Sequence, residues 1–207
     1  MLFTVLLSTT RCAAEPPVVY VIDPARSELV VQLFKAGVGS ALAHDHVVRA
    51  TDYRGRIRGT PAVPSTATVV VDVQSAALRA DEPAVRRKYG LPALPSDADR
   101  NEIQRTMESA SQLDVAHHPT MHFVSTRIEQ RAETEFVVTA ELTIRDVTRQ
   151  VTFPVVVERS DRIMHGRGSL RFTQSGFGYQ PYSAFFGAVR NQDEVVLHFD
   201  IVATQPP

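Results

Sequence analysis

A chain of 207 residues that is 43% hydrophobic and 22% charged carries enough apolar side chain for one sizeable core, which sets it apart from disordered and fibrous classes. A formal net charge of −1 offers neither the basic surface that nucleic acid requires nor an acidic solvating tail. With Cys12 as the only cysteine, an internal disulfide framework and multi-thiolate metal sites are excluded.

The chain opens with "MLFTVLLSTTRCAAEPP". An apolar run from Leu2 to Leu7 is followed by the small residues Cys12, Ala13 and Ala14 ahead of Glu15. Although a basic leading segment is missing, this matches the end of a secretory signal cleaved after Ala14. Residues 1–14 are therefore expected to be a signal peptide and 15–207 a single mature domain, periplasmic or secreted. The run is too short to cross a membrane as a helix. Cleavage would also remove Cys12, and a thiol-free exported domain suits a bacterial periplasm.

Strand signals follow in sequence. "VVYVID" is a short one, then "SELVVQLF" (27–34), the weaker "YRGRIRG" (53–59) and "TATVVVDV" (66–73). The segment after them breaks the period-2 pattern. Ser96 is placed to cap a helix, with Asp97 and Asp99 at its positive end. Ile103, Met107 and Ala110 then share a helical face, giving a helical crossover. Alternation resumes at "TMHFVSTRI" (120–128). In "EFVVTAELTIR", Phe136, Val138, Ala140, Leu142 and Ile144 share one face, as expected of a half-buried antiparallel strand. A tight turn near Asp146 leads into "VTFPVVVER", followed by "MHGRGSLRF" (164–172) and "EVVLHFDIV". About eight strands joined mostly by short turns predict an all-β antiparallel sandwich or barrel, with the helical crossover inserted mid-chain.

Several segments, in order, resemble the YceI-like family of lipid- or polyisoprenoid-binding proteins. They are "YVIDPARSELVVQLFKAG" (20–37), "DYRGRI" (52–57), "SASQLDVAHHPTMHFVS" (109–125), "AELTIRDVTRQVTFPV" (140–155) and the closing "QSGFGYQPYSAFFGAVRNQDEVVLHFDI". The resemblance implies an exported, lipocalin-like antiparallel β-barrel with a long apolar ligand, a polyisoprenoid or fatty-acid derivative, in its interior. By family position and composition, the expected ligand contacts are Phe34, Leu42, Met107, Phe123, Phe172, Phe177, Tyr179, Phe185 and Phe186. The glycine-studded aromatic run from Phe177 to Phe186 is expected either to sheath the pocket mouth or to plug the barrel end. The partner is thus a hydrophobic small molecule, with a homodimer left open.

"GSALAHDHVVR" (39–49) departs from the usual family pattern and marks a subgroup. On one strand, His44 and His46 would share a face and could hold zinc with a third ligand from His122, His165 or His198. In the alternative reading they enter a strand and make hydrogen bonds while Asp45 caps a turn. Two ligands fall short of a stable site, so no resident metal cofactor is expected. No glutamate follows as a cupin-type oxygenase would need, and no Gly-x-Ser-x-Gly or phosphate-binding glycine loop is present. The chain is therefore read as a carrier and not an enzyme. The alternative is a metal-binding barrel protein or metalloenzyme centred on His44 and His46.

Overall fold

The structure, a computed structural model, describes residues 16–60, 63–94, 96–160 and 162–206, without the side chain of Leu42. The expected signal peptide lies outside the described residues. Twelve strands and two α-helices are present among them. The first half holds β1 (Val18–Ile22), β2 (Glu28–Ala36), β3 (His46–Ala50), β4 (Tyr53–Thr60), β5 (Val63–Gln74), β6 (Leu78–Ala80), α1 (Pro83–Lys88) and α2 (Asp97–Glu108). The second holds β7 (Thr120–Gln130), β8 (Glu135–Ile144), β9 (Val147–Ser160), β10 (Ile163–Thr173), β11 (Ser183–Ala184) and β12 (Val189–Thr204).

All paired strands are antiparallel, and β1-β4-β5-β7-β8-β9-β10-β12 closes on itself where β12 meets β1. The expected barrel of about eight strands is therefore the observed one. The turn predicted near Asp146 is the β8–β9 hairpin, where Ile144 pairs with Val147. Its two central residues, Arg145 (φ 51°) and Asp146 (φ 58°), both take positive φ, as a two-residue hairpin matched to strand twist requires. Asp146 thus does the work for which a turn usually recruits glycine.

Not visible in the sequence pattern is the flap that continues from the barrel. Between β1 and β2 the chain kinks through a 3₁₀ turn at Pro24–Arg26, capped by Asp23, whose carboxylate accepts from the Ala25 amide. A second 3₁₀ turn at Ser75–Ala77 separates β5 from β6. The segments beyond these kinks, β2, β3 and β6, form their own run alongside β12. Helix α1 covers its outer face, where Val30 and Val47 are fully buried against Val85, Tyr89 and Leu91. Two ion pairs, Arg49–Glu82 and Lys88–Glu28, tie the flap to the α1 segment.

Strand β6 would be a bare edge of three residues, open to pairing with another chain. Instead α2 covers it. The Gln104 amide reaches across as a strand would, its Oε1 accepting from the Ala80 N–H and its Nε2 donating to the Leu78 carbonyl, both at 2.8 Å. Replacing Gln104 by Ala should cost about 1–2 kcal/mol, two neutral hydrogen bonds' worth. Urea unfolding reads that loss, and faster amide exchange at Ala80 localises it.

Candidate functional site

Alternation along the strands turns one apolar row inward. Val195, Leu197, Phe199 and Ile201 of β12 face Val69, Val71 and Val73 of β5 across a cavity of about 970 Å³. The cavity wall extends from Gly59 and Thr134 at one end of the barrel to His44 and Tyr182 at the other. Phe123, Phe153 and Phe199 form a run of tilted and edge-on rings, with centroids 6.0 and 5.6 Å apart, along this wall. Close approach requires glycine at position 168. A Cβ on Gly168 would lie 2.6 Å from the Phe199 ring and 2.7 Å from the Pro154 carbonyl.

Of the expected contacts, Met107, Phe123, Phe172 and Tyr179 line the cavity. Phe34 does not, because Leu33 takes the inward position and the strand period turns its neighbour away. Phe177 is 1% exposed and does not line the cavity, packing edge-on to Phe172 at 5.4 Å among the inward residues Leu142, Phe153 and Leu170. Phe185 and Phe186 are thrown into solvent at 78% and 113% exposure by consecutive positive φ angles of 50° and 55°. The aromatic run therefore divides. Tyr179 and Tyr182 reach the cavity, Phe177 packs as core, and the last two rings are neither sheath nor plug. The side chain of Leu42 lies outside the described residues.

The histidines are also redistributed. His44 precedes β3 and His46 begins it, and both line the cavity. His46 sits opposite Leu33 in register, so its ring shares the inward face. Its Nδ1 lies 2.6 Å from Oδ2 of Asp81. The other oxygen of Asp81 accepts from the Val47 N–H at 3.1 Å and from Nη1 of Arg86 at 2.5 Å. Arg86 donates further to the carbonyls of Pro92 (2.7 Å) and Asp45 (2.8 Å). Asp81 and Arg86 are 1% and 2% exposed. The Asp45 carboxylate accepts the Lys35 N–H of β2 at 2.8 Å, which ties together the two ends of the β2–β3 connection.

The three candidate third ligands do not approach this pair. His122 is bonded to Asp72 at 2.8 Å and His165 to Asp200 at 2.5 Å. His198 contacts Gln32 and the Tyr89 ring beneath α1. His165 and His198 alternate with inward residues of their strands and face outward, while His122 borders the cavity but turns its half-exposed ring to Asp72. Among the described residues, no group of three or more His, Cys, Asp or Glu side chains is arranged to hold a metal ion.

The family model for the YceI-like domain matches residues 20–203. The chain belongs to the YceI-like family. Among solved structures it is similar to Burkholderia cenocepacia BcnA, with TM-score 0.66 and 19% identity over 88% of this chain and 99% of that one. It is also similar to the Campylobacter jejuni YCEI protein, with TM-score 0.59 and 13% identity over 77% and 85% of the two chains. A mutant of the latter has been crystallised with a monobromobimane guest. No curated protein matches the chain at a significant level.

YceI-like barrels are known as lipid- and polyisoprenoid-binding proteins, and the strand residues around this lumen are mostly apolar. Burial pushes the Tyr179 phenol up to about 12, so it stays neutral, with the Arg145 guanidinium 5.6 Å over its ring. The sequence reading missed Asp81 and Arg86. The available signal was "DEPAVRR", an acidic pair before a proline that opens a helix, and this signals a helix start and not a buried charge.

Burial works against ionisation of Asp81, yet the hydrogen bonds from His46, Arg86 and the Val47 amide outweigh it and hold the carboxyl below its ordinary value of 3.8. A depressed carboxyl contributes stability that is present above the ordinary value and is lost as pH falls through the folded one. Asp81→Ala leaves Arg86 buried without its partner and should cost about 3–5 kcal/mol at neutral pH. Urea titrations of both proteins should show that gap narrowing as pH drops below 3.8.

Proposed function

We propose that this protein is an exported carrier that holds a long apolar chain, a polyisoprenoid or fatty-acid derivative, in the barrel lumen. The observation that carries this reading is the continuous cavity of about 970 Å³ walled by valine, leucine, isoleucine and phenylalanine. That volume is at the upper end of the range of about 300–1,000 Å³ typical of small-molecule pockets. The mechanism is burial and not bond making. Each methylene removed from water contributes about 0.8 kcal/mol. Ordering a flexible chain and immobilising it subtract from the total. Export is supported by the apolar run Leu2–Leu7 and the small residues before Glu15.

Organic extraction of protein purified from its own host, followed by mass spectrometry, should release a long apolar molecule. An empty extract together with failure to bind any long-chain probe would sink the carrier reading. A substitution at Gly166 tests the lumen directly. Gly166 lines the cavity, and a Cβ there meets only a Val155 methyl at 3.8 Å. Gly166→Leu should fold with unchanged thermal stability and bind a long-chain fluorescent probe at least about tenfold more weakly, because the added side chain occupies ligand space. Export has its own readout, since intact mass of the protein from the host envelope should correspond to a chain starting at Glu15.

A further inference from the structure

The lumen is apolar along most of its length, but its wall carries the two histidine rings of the His-Asp-His segment. His46 is held unlike an ordinary surface histidine. Its Nδ1 faces a carboxylate that is itself fixed by a backbone amide and a buried guanidinium. An ionised carboxylate only accepts, so Nδ1 must be the donor. In the neutral ring this leaves the lone pair on Nε2. Among the described residues, no side chain or backbone group bonds to that Nε2, and the ring lies on the cavity wall with 17% of its side chain exposed. An acceptor of fixed tautomer and fixed direction therefore faces the lumen.

We propose that His46 is the head-group anchor of the lumen, and that the ligand is an apolar chain ending in a neutral hydroxyl, which donates to Nε2. This rests on the carrier reading and specifies the ligand's polar end. The charge around the site selects against an anionic head. The face of α2 turned to the cavity presents Asp99 and Glu102, both exposed, before it becomes apolar at Ile103 and Met107. A phosphate or carboxylate head would meet these carboxylates at the opening, whereas Arg86 is sealed behind the wall at 2% exposure and the cavity-lining Arg159 stands toward the far end, two residues past Val157, whose amide bonds the Thr134 carbonyl. A hydroxyl meets no such repulsion and satisfies the Nε2 acceptor, while the chain extends toward Phe123 and Phe199.

The test compares two probes with the same chain, dodecanol and its methyl ether, on delipidated full-length protein, by displacement of a fluorescent hydrophobic dye. The wild type should bind the alcohol about fivefold more tightly than the ether, the value of one neutral hydrogen bond. His46→Asn is the informative variant. Its side-chain amide nitrogen replaces Nδ1 and keeps the bond to Asp81, while its Oδ1 takes the place of the ring carbon Cδ2 and stops short of the Nε2 position from which the hydroxyl is held. It should bind both probes alike, with the ether affinity unchanged. Equal binding of the two probes by the wild type, or a preference retained in His46→Asn, overturns the anchor while leaving the carrier intact. Binding of neither probe by the wild type overturns the anchor, and together with an empty organic extract it overturns the carrier reading as well. The wild-type comparison decides the matter even where the variant fails to fold.

Discussion

Closure of the sheet is the constraint on which the rest of this structure depends, and it is made at a narrow seam. Along one edge of β12, residues Arg190–Asp200 pair with β2, and the last positions, Ala203 and Thr204, pair with Ile22 and Val21 of β1. One long strand thus serves both the barrel and the flap. That is geometrically feasible only because the chain turns sharply at Pro24–Arg26, where proline fixes φ and Asp23 satisfies an amide the kink would orphan. Without closure the eight-strand wall would have two open edges, and an apolar interior would be exposed along both. With closure, backbone hydrogen bonding holds the wall around space that side chains do not fill.

Stability must then come from places other than the centre. Packing is concentrated in two clusters, one around Phe153, Leu170, Phe177 and Tyr179, the other around Tyr20, Tyr53, Leu78 and Ala203. Fully buried Phe177 makes sense in this light. It packs among the inward residues of β8, β9 and β10, so that Phe172 can stand in the lumen without a void beside it. Close approach sets the glycine at 168, while the neighbouring inward glycine at 166 faces open volume. Two residues apart on one strand, these glycines answer different demands.

Much of the wall could be read from the sequence because period-2 alternation encodes which face is dry. The inward row of β12 and that of β8 are the rows the pattern gave. Direction in turns was not legible. The aromatic run beginning at Phe177 has one composition but three fates, decided by positive backbone φ at Phe185 and Phe186 and by where β10 ends. The flap was hidden for a related reason. The kink at Pro24–Arg26 interrupts alternation only briefly, so β2 read as an ordinary barrel strand, while the three residues of β6 beyond the turn at Ser75–Ala77 are too few to show a period. Asp81 was beyond pattern reasoning altogether. Its neighbours suggest a helix start, and only the long-range meeting with His46 and Val47 shows it to be buried.

The position of the polar cluster in the flap has a physical reason. In the closed barrel the outer face meets water, so a polar residue on the wall can be hydrated from behind and has no fixed orientation. The β2–β3–β6 run differs because α1 covers its outside. There a carboxylate can be set behind the wall, held by the Val47 amide and neutralised by Arg86 from α1. The ion pair is costly to desolvate, and an apolar replacement of similar volume could pack as well. An apolar replacement could not orient an imidazole toward the lumen. The flap and its covering helix therefore account for how a mostly apolar container keeps the His46 ring in a fixed direction.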